Sequence, residues 1–82
     1  MHHRIQSVKP SGEWTFDAVF QGGEVRRYDI RPLLDRWPAF RALRDVPGLF
    51  RLVRVEPGGY AVSWNDDLDL DCEDIWLSGA AP

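Results

Sequence analysis

The side chains of this protein with chemistry to offer fall into two groups. The first is acidic: Asp66, Asp67, Asp69, Asp71, Glu73 and Asp74 crowd together near the C-terminus, with Cys72 among them. Clustered carboxylates are ligands for hard cations such as Ca²⁺, and Asp67-Leu68-Asp69-Leu70-Asp71 copies the opening of an EF-hand loop. That loop needs Gly at its sixth position and a bidentate Glu at its twelfth, where this chain has Cys72 and Ser78. The pattern reads better as two turn acids, a strand-end Asp, a helix cap, and first-turn acids facing a helix dipole. No metal and no cofactor are expected, and metal binding through these acids is kept as a second alternative. Cys72 falls at a helix start, where a thiol pKa can drop, but the neighbouring acids oppose a thiolate and no CxxC motif accompanies it. A structural or incidental thiol is expected. His2 and His3 stand at the chain end. Ser63, His3 and Asp29 supply the residue types of a hydrolase triad, but no spacing joins them, and a triad is a matter of geometry. The chain is therefore read as a non-enzyme.

The second group is basic. Arg36, Arg41, Arg44, Arg51 and Arg54 gather around Trp37, a combination that suits phosphate or single-stranded nucleic acid. The net charge of −3 and the nearby Asp35 and Asp45 argue instead for a solvated helix face. Nucleic acid is not expected as the partner, and a nucleic-acid accessory role is the first alternative. All ten bases lie in residues 1–54 beside six acids, while residues 55–82 hold seven acids and no base. If the fold keeps the halves apart, opposite patches steer a charged partner or a second copy of the chain. A sheet that interleaves the halves mixes them.

Eighty-two residues make one small domain, with an ordered core over about 4–77 and a fraying tail at 78–82. No apolar run reaches the roughly 20 residues of a membrane span. Met1-His2-His3-Arg4 leads into no apolar signal core, and one cysteine suits a reducing cytoplasm.

The elements that position these residues follow from periodicity. Ile5-Gln6-Ser7-Val8 reads as a strand ended by Pro10-Ser11-Gly12. Trp14, Phe16, Ala18 and Phe20 alternate onto one face, Gln21-Gly22-Gly23 turns the chain, and residues 24–30 return, so 14–30 is a hairpin. Arg31-Pro32 starts a helix, and Leu33, Leu34, Trp37, Phe40 and Leu43 recur at helical spacing with Pro38 splitting the run. Residues 52–56 and 60–64 make a second hairpin over Pro57-Gly58-Gly59. Leu68-Asp69-Leu70 is a short strand, and Asp71 caps a last helix with Asp74 at capping-box spacing. Neither Gly-Gly pair precedes a helix, so neither is a phosphate loop. The run from Tyr28 to Leu34 echoes the run from Leu68 to Ile75, a strand-to-helix grammar used twice rather than a duplication. The fold class is α+β: a small antiparallel sheet from two hairpins and an N-terminal strand, with two or three short helices packed on it.

The ordered series Ser7-Val8-Lys9-Pro10, Gly23-Glu24-Val25, Tyr28-Asp29-Ile30, Pro32-Leu33-Leu34, Leu43-Arg44-Asp45, Leu49-Phe50, Gly58-Gly59-Tyr60, Trp64 and Leu68-Asp69-Leu70 resembles a bacterial family catalogued as domain of unknown function 2442. The resemblance covers residues 5–77. It implies an α+β domain and no established activity. Some relatives are encoded beside toxin genes or fused to a helix-turn-helix, so it implies an antitoxin-like or adaptor role. This chain departs at two caps: Arg31 and Asp71-Cys72 stand where relatives tend to have Ser before Pro. No helix-turn-helix is read in these residues. Four tryptophans are more than so small a domain readily buries, and an exposed Trp is a typical anchor of an interface. The expectation is a non-catalytic protein-interaction module in the cytoplasm. Its partner is a protein, such as the product of a neighbouring gene, or a second copy. Trp37, Trp76, Arg36, Arg41 and Arg44 form its candidate contact surface.

Overall fold

The computed structural model describes residues 3–82; Met1 and His2 lie outside the described residues. Alternation builds the first half. Strand β1 (Ile5–Pro10) pairs with β2 (Thr15–Phe20), and β2 pairs with β3 (Val25–Asp29), all antiparallel. Phe16, Ala18 and Phe20 are buried as the period of two requires, with Tyr28 opposite Phe16 on the same face. On the other face Asp17 stands opposite Arg27, and its carboxylate accepts two hydrogen bonds from the guanidinium at 2.8 and 3.0 Å.

Helix α1 (Arg31–Arg36) follows at once and buries Leu33 and Leu34. Arg31 brings no capping side chain, but Asp29 does the work from two residues upstream: its Oδ1 accepts the Arg31 backbone N–H at 3.0 Å. Asp71 does the same for the last helix, accepting the Glu73 N–H at 2.9 Å. Each junction thus uses an Asp that accepts the backbone N–H two residues on, from just before the cap at α1 and from the cap itself at α3. Trp37 is extended (φ −127°, ψ 107°), as a residue before proline prefers, and a 3₁₀ turn (Pro38–Arg41) leads into α2 (Ala42–Asp45).

The expected strand over 52–56 is corrected. Phe50–Leu52 is a 3₁₀ turn, and strand β4 is only Arg54–Val55. Tertiary contact overrides β propensity here: Phe50 is buried and its carbonyl accepts the indole N–H of fully buried Trp64 at 3.2 Å, while Leu52 turns outward. Strand β4 pairs with β5 (Ala61–Asn65) and β5 with β6 (Leu68–Asp71), making a second three-stranded antiparallel sheet. Register shifts between Ser63 and Asn65, and Val62, Ser63 and Trp64 are buried in succession.

The six strands among the described residues therefore form two small sheets rather than one, in an α+β fold. The sheets meet where β1 packs beside β4. Gly59 sits against the backbone of Ile5 at that junction, and Arg4 Nε donates to the Gly58 carbonyl at 2.7 Å. Helix α3 (Cys72–Ser78) packs on β3, with Ile75 and Cys72 in the core. The tail expected to fray is tied down at Ala80, which exchanges backbone hydrogen bonds of 2.7 and 2.9 Å with Arg27 and so covers part of the β3 edge.

Candidate functional site

Helices α1 and α3 both adjoin β3. Helix α1 leaves its end and α3 packs across it, so a groove of about 430 Å³ remains between them. Its floor is apolar: Tyr28, Leu33, Phe40 and Leu70, all buried. One rim is the end of α1, carrying Arg36 and Trp37. The opposite rim is the β6-to-α3 junction, carrying Asp69, Asp71 and Asp74, with Ser78 at the end of α3. A second hollow of about 380 Å³ continues the groove along α1 past Pro32 to Asp29 and Ala80, sharing Tyr28, Leu33, Arg36 and Ser78 with the first.

Electrostatics inside the groove are uneven. Asp71 is occupied as the α3 cap. Asp69 and Asp74 form no ion pair among the described residues, and neither does Arg36. Tyr28 is 7% exposed, and its hydroxyl has no hydrogen-bond partner among the described residues. The hydroxyl is not sealed in, since among the described residues the one buried polar side-chain atom without a partner is Ser63 Oγ. Burial pushes the Tyr28 phenol up, Asp74 pushes it further, and Arg36 pulls it back. The hydroxyl thus feels the charges on both rims of the groove.

The expected contact residues part company. Trp37 is 55% exposed at the groove rim, and Arg36 stands beside it. Trp76 is on a different side of α3 and is half-buried. His3 stacks on its indole at 3.9 Å between centroids, Phe20 meets it edge-on at 5.0 Å, and the Arg26 guanidinium lies over it at 3.9 Å. Trp76 is thereby committed to holding the chain start and β3 against α3. Arg41 Nε donates to the Leu34 carbonyl at 3.0 Å and Arg44 pairs with Asp45 at 2.7 Å, so both have local structural partners. Exposed Arg54 lies 3.9 Å from Asp66.

The other chemical groupings disperse. Fully buried Ser63, His3 on Glu73 and Trp76, and Asp29 on Arg31 are not brought together as a triad. His2 lies outside the described residues. The six acids spread over a turn, a strand and a helix, and among the described residues no three His, Cys, Asp or Glu side chains are grouped to share an ion. Cys72 is buried, and burial, then Asp71 and Glu73, raise its thiol pKa. Sequence reasoning missed Tyr28 and the acids as one site. Tyr28 reads only as part of the returning strand, and nothing in the linear order places Asp69 and Asp74 opposite Arg36.

A family model for Protein of unknown function (DUF2442) matches residues 5–79. The chain belongs to this family. No curated protein and no solved structure matches it. The DUF2442 match spans both sheets, all three α-helices and therefore every wall of the groove. No helix among the described residues is long and apolar enough to cross a membrane.

Proposed function

We propose that this DUF2442 domain is a non-catalytic protein-interaction module of the cytoplasm, and that the groove between α1 and α3 is its docking face. The observation that carries the reading is Trp37: a large aromatic side chain left 55% exposed on the rim of a groove with a buried apolar floor. Indole is among the side chains enriched at the anchoring positions of interfaces. The partner is a protein, with the product of a neighbouring gene the first to test and an antitoxin-like or adaptor role its context. The local pairing of Arg41 and Arg44 supports a protein over a nucleic acid, because among the described residues it leaves Arg36 as the cation without an ion pair on the α1 rim.

The test is an affinity capture of the tagged protein from native lysate, with nuclease treatment, beside a Trp37→Ala variant. A stoichiometric protein that survives nuclease and is lost with Trp37→Ala supports the reading. Capture that needs nucleic acid, or no stoichiometric protein at all, overturns it.

A further inference from the structure

We infer that the occupant of the α1–α3 groove is a basic segment of the partner protein, bound through an arginine or lysine side chain that lies over Tyr28 and reaches Asp74 and Asp69. The inference deepens the interaction reading and rests on it. Three features of the groove point to this chemistry. Its charged rim residues are Asp69, Asp71 and Asp74 against Arg36 alone, so the groove carries a negative excess. Its floor of Tyr28, Leu33 and Leu70 offers the apolar surface that the aliphatic stem of a long cationic side chain covers, while the head stays with the carboxylates. Tyr28 lines that space, and its hydroxyl, without a hydrogen-bond partner among the described residues, is an acceptor for an N–H donor. Trp37 adds an exposed aromatic face at the mouth, which the apolar side chains of the segment cover. Arg36 then sets direction. It repels the cationic end of the segment from the α1 rim and favours an orientation with the positive charge toward α3.

The charges come from opposite halves of the chain, so the site exists only in the folded protein. Asp69 stands on the outward face of β6 and Asp74 in the first turn of α3, both exposed. Replacing either carboxylate by its amide keeps shape and leaves the core untouched, which makes Asp69→Asn and Asp74→Asn clean probes.

The experiment is a nuclear magnetic resonance titration of the isotope-labelled full chain with a six-residue peptide of alternating arginine and leucine with blocked ends. A peptide with glutamate in place of arginine is the control. Saturable shifts at Tyr28, at the Trp37 indole N–H and at Asp69 and Asp74 are expected with the arginine peptide and not with the control. The double variant Asp69→Asn and Asp74→Asn is expected to weaken binding about tenfold, as loss of charged rim contacts does, with added salt acting in the same direction. Absence of saturable shifts, shifts centred elsewhere, equal response to the control, or unchanged affinity in the double variant each overturns the inference. The lysate capture separates this failure from that of the interaction reading. A partner lost with Trp37→Ala but retained by the double variant removes only the basic-segment inference, whereas no partner at all removes the reading beneath it.

Discussion

Gly59→Ala tests the joint between the two sheets. Gly59 has φ of +79°, where an L side chain is strained by roughly 1–2 kcal/mol. A Cβ there would overlap the Ile5 carbonyl oxygen and stand 3.0 Å from the Ile5 nitrogen. Those atoms are backbone, held in the β1–β2 ladder where Ile5 faces Phe20, so they yield only by loosening a strand. Overpacking of that kind adds about 1–3 kcal/mol. Gly48→Ala is the control: its φ is +81° and nothing lies within 4 Å of the added Cβ, so it meets the backbone strain alone. Both substitutions stiffen the unfolded chain equally, and that effect cancels in the comparison. Gly59→Ala should cost about 3 kcal/mol and Gly48→Ala about 1 kcal/mol. For a domain of this size 1 kcal/mol moves Tm by roughly 4–8 °C, so thermal unfolding followed by circular dichroism should separate the variants by about 10 °C. Equal Tm values would refute the close packing of Gly59 on β1.

Three further outcomes are expected. Ser63→Ala should raise stability in urea unfolding by about 1 kcal/mol, since the buried hydroxyl has no partner among the described residues; a loss of stability would mean that the hydroxyl is hydrogen-bonded. Cys72 should react with a disulfide thiol reagent much more slowly in the native protein than in urea at mildly alkaline pH, because burial and its acidic neighbours hold the thiol protonated, and fast native labelling would contradict its placement. The Arg27 guanidinium hydrogen-bonded to Asp17 holds that carboxyl below the usual range, and Arg31 does the same for Asp29. Folded pKa values below the unfolded ones mean stability that is fully present above the unfolded carboxylate pKa of about 4 and is lost as pH falls through the lower folded values. Asp17→Asn should therefore flatten the acid limb of the stability curve below about pH 4, and an unchanged slope would show that the cross-strand pair does not form.

Local order reads directly from residue types where the cause is local. The hairpin over 14–30 follows from alternation and a Gly-Gly turn, the break between α1 and α2 from Pro38, and the start of α3 from Asp71, because each depends on neighbours a few residues away. The residue series that resembles DUF2442 belongs to the same class of information. Where distant groups compete, the linear reading fails. Residues 52 and 53 carry strand-forming side chains, yet the Trp64 indole and the burial of Phe50 hold the preceding residues in a turn. Trp37 and Trp76 look equivalent as helix tryptophans, and only packing shows that His3, Phe20 and Arg26 surround one while the other stands at the groove rim.

Charge shows the division most plainly. The uneven run of bases and then acids is a property of composition, visible in the order of residues alone. Whether it becomes two opposed patches or one mixed groove depends on where β3 places α1 and where α3 packs. Those positions come from burying Leu33, Tyr28 and Ile75 together. Burial of apolar surface is non-directional and acts between residues far apart in the chain. It sets Arg36 across the groove from Asp69 and Asp74, and it leaves Tyr28 in the lining, where the phenol feels charges of both signs.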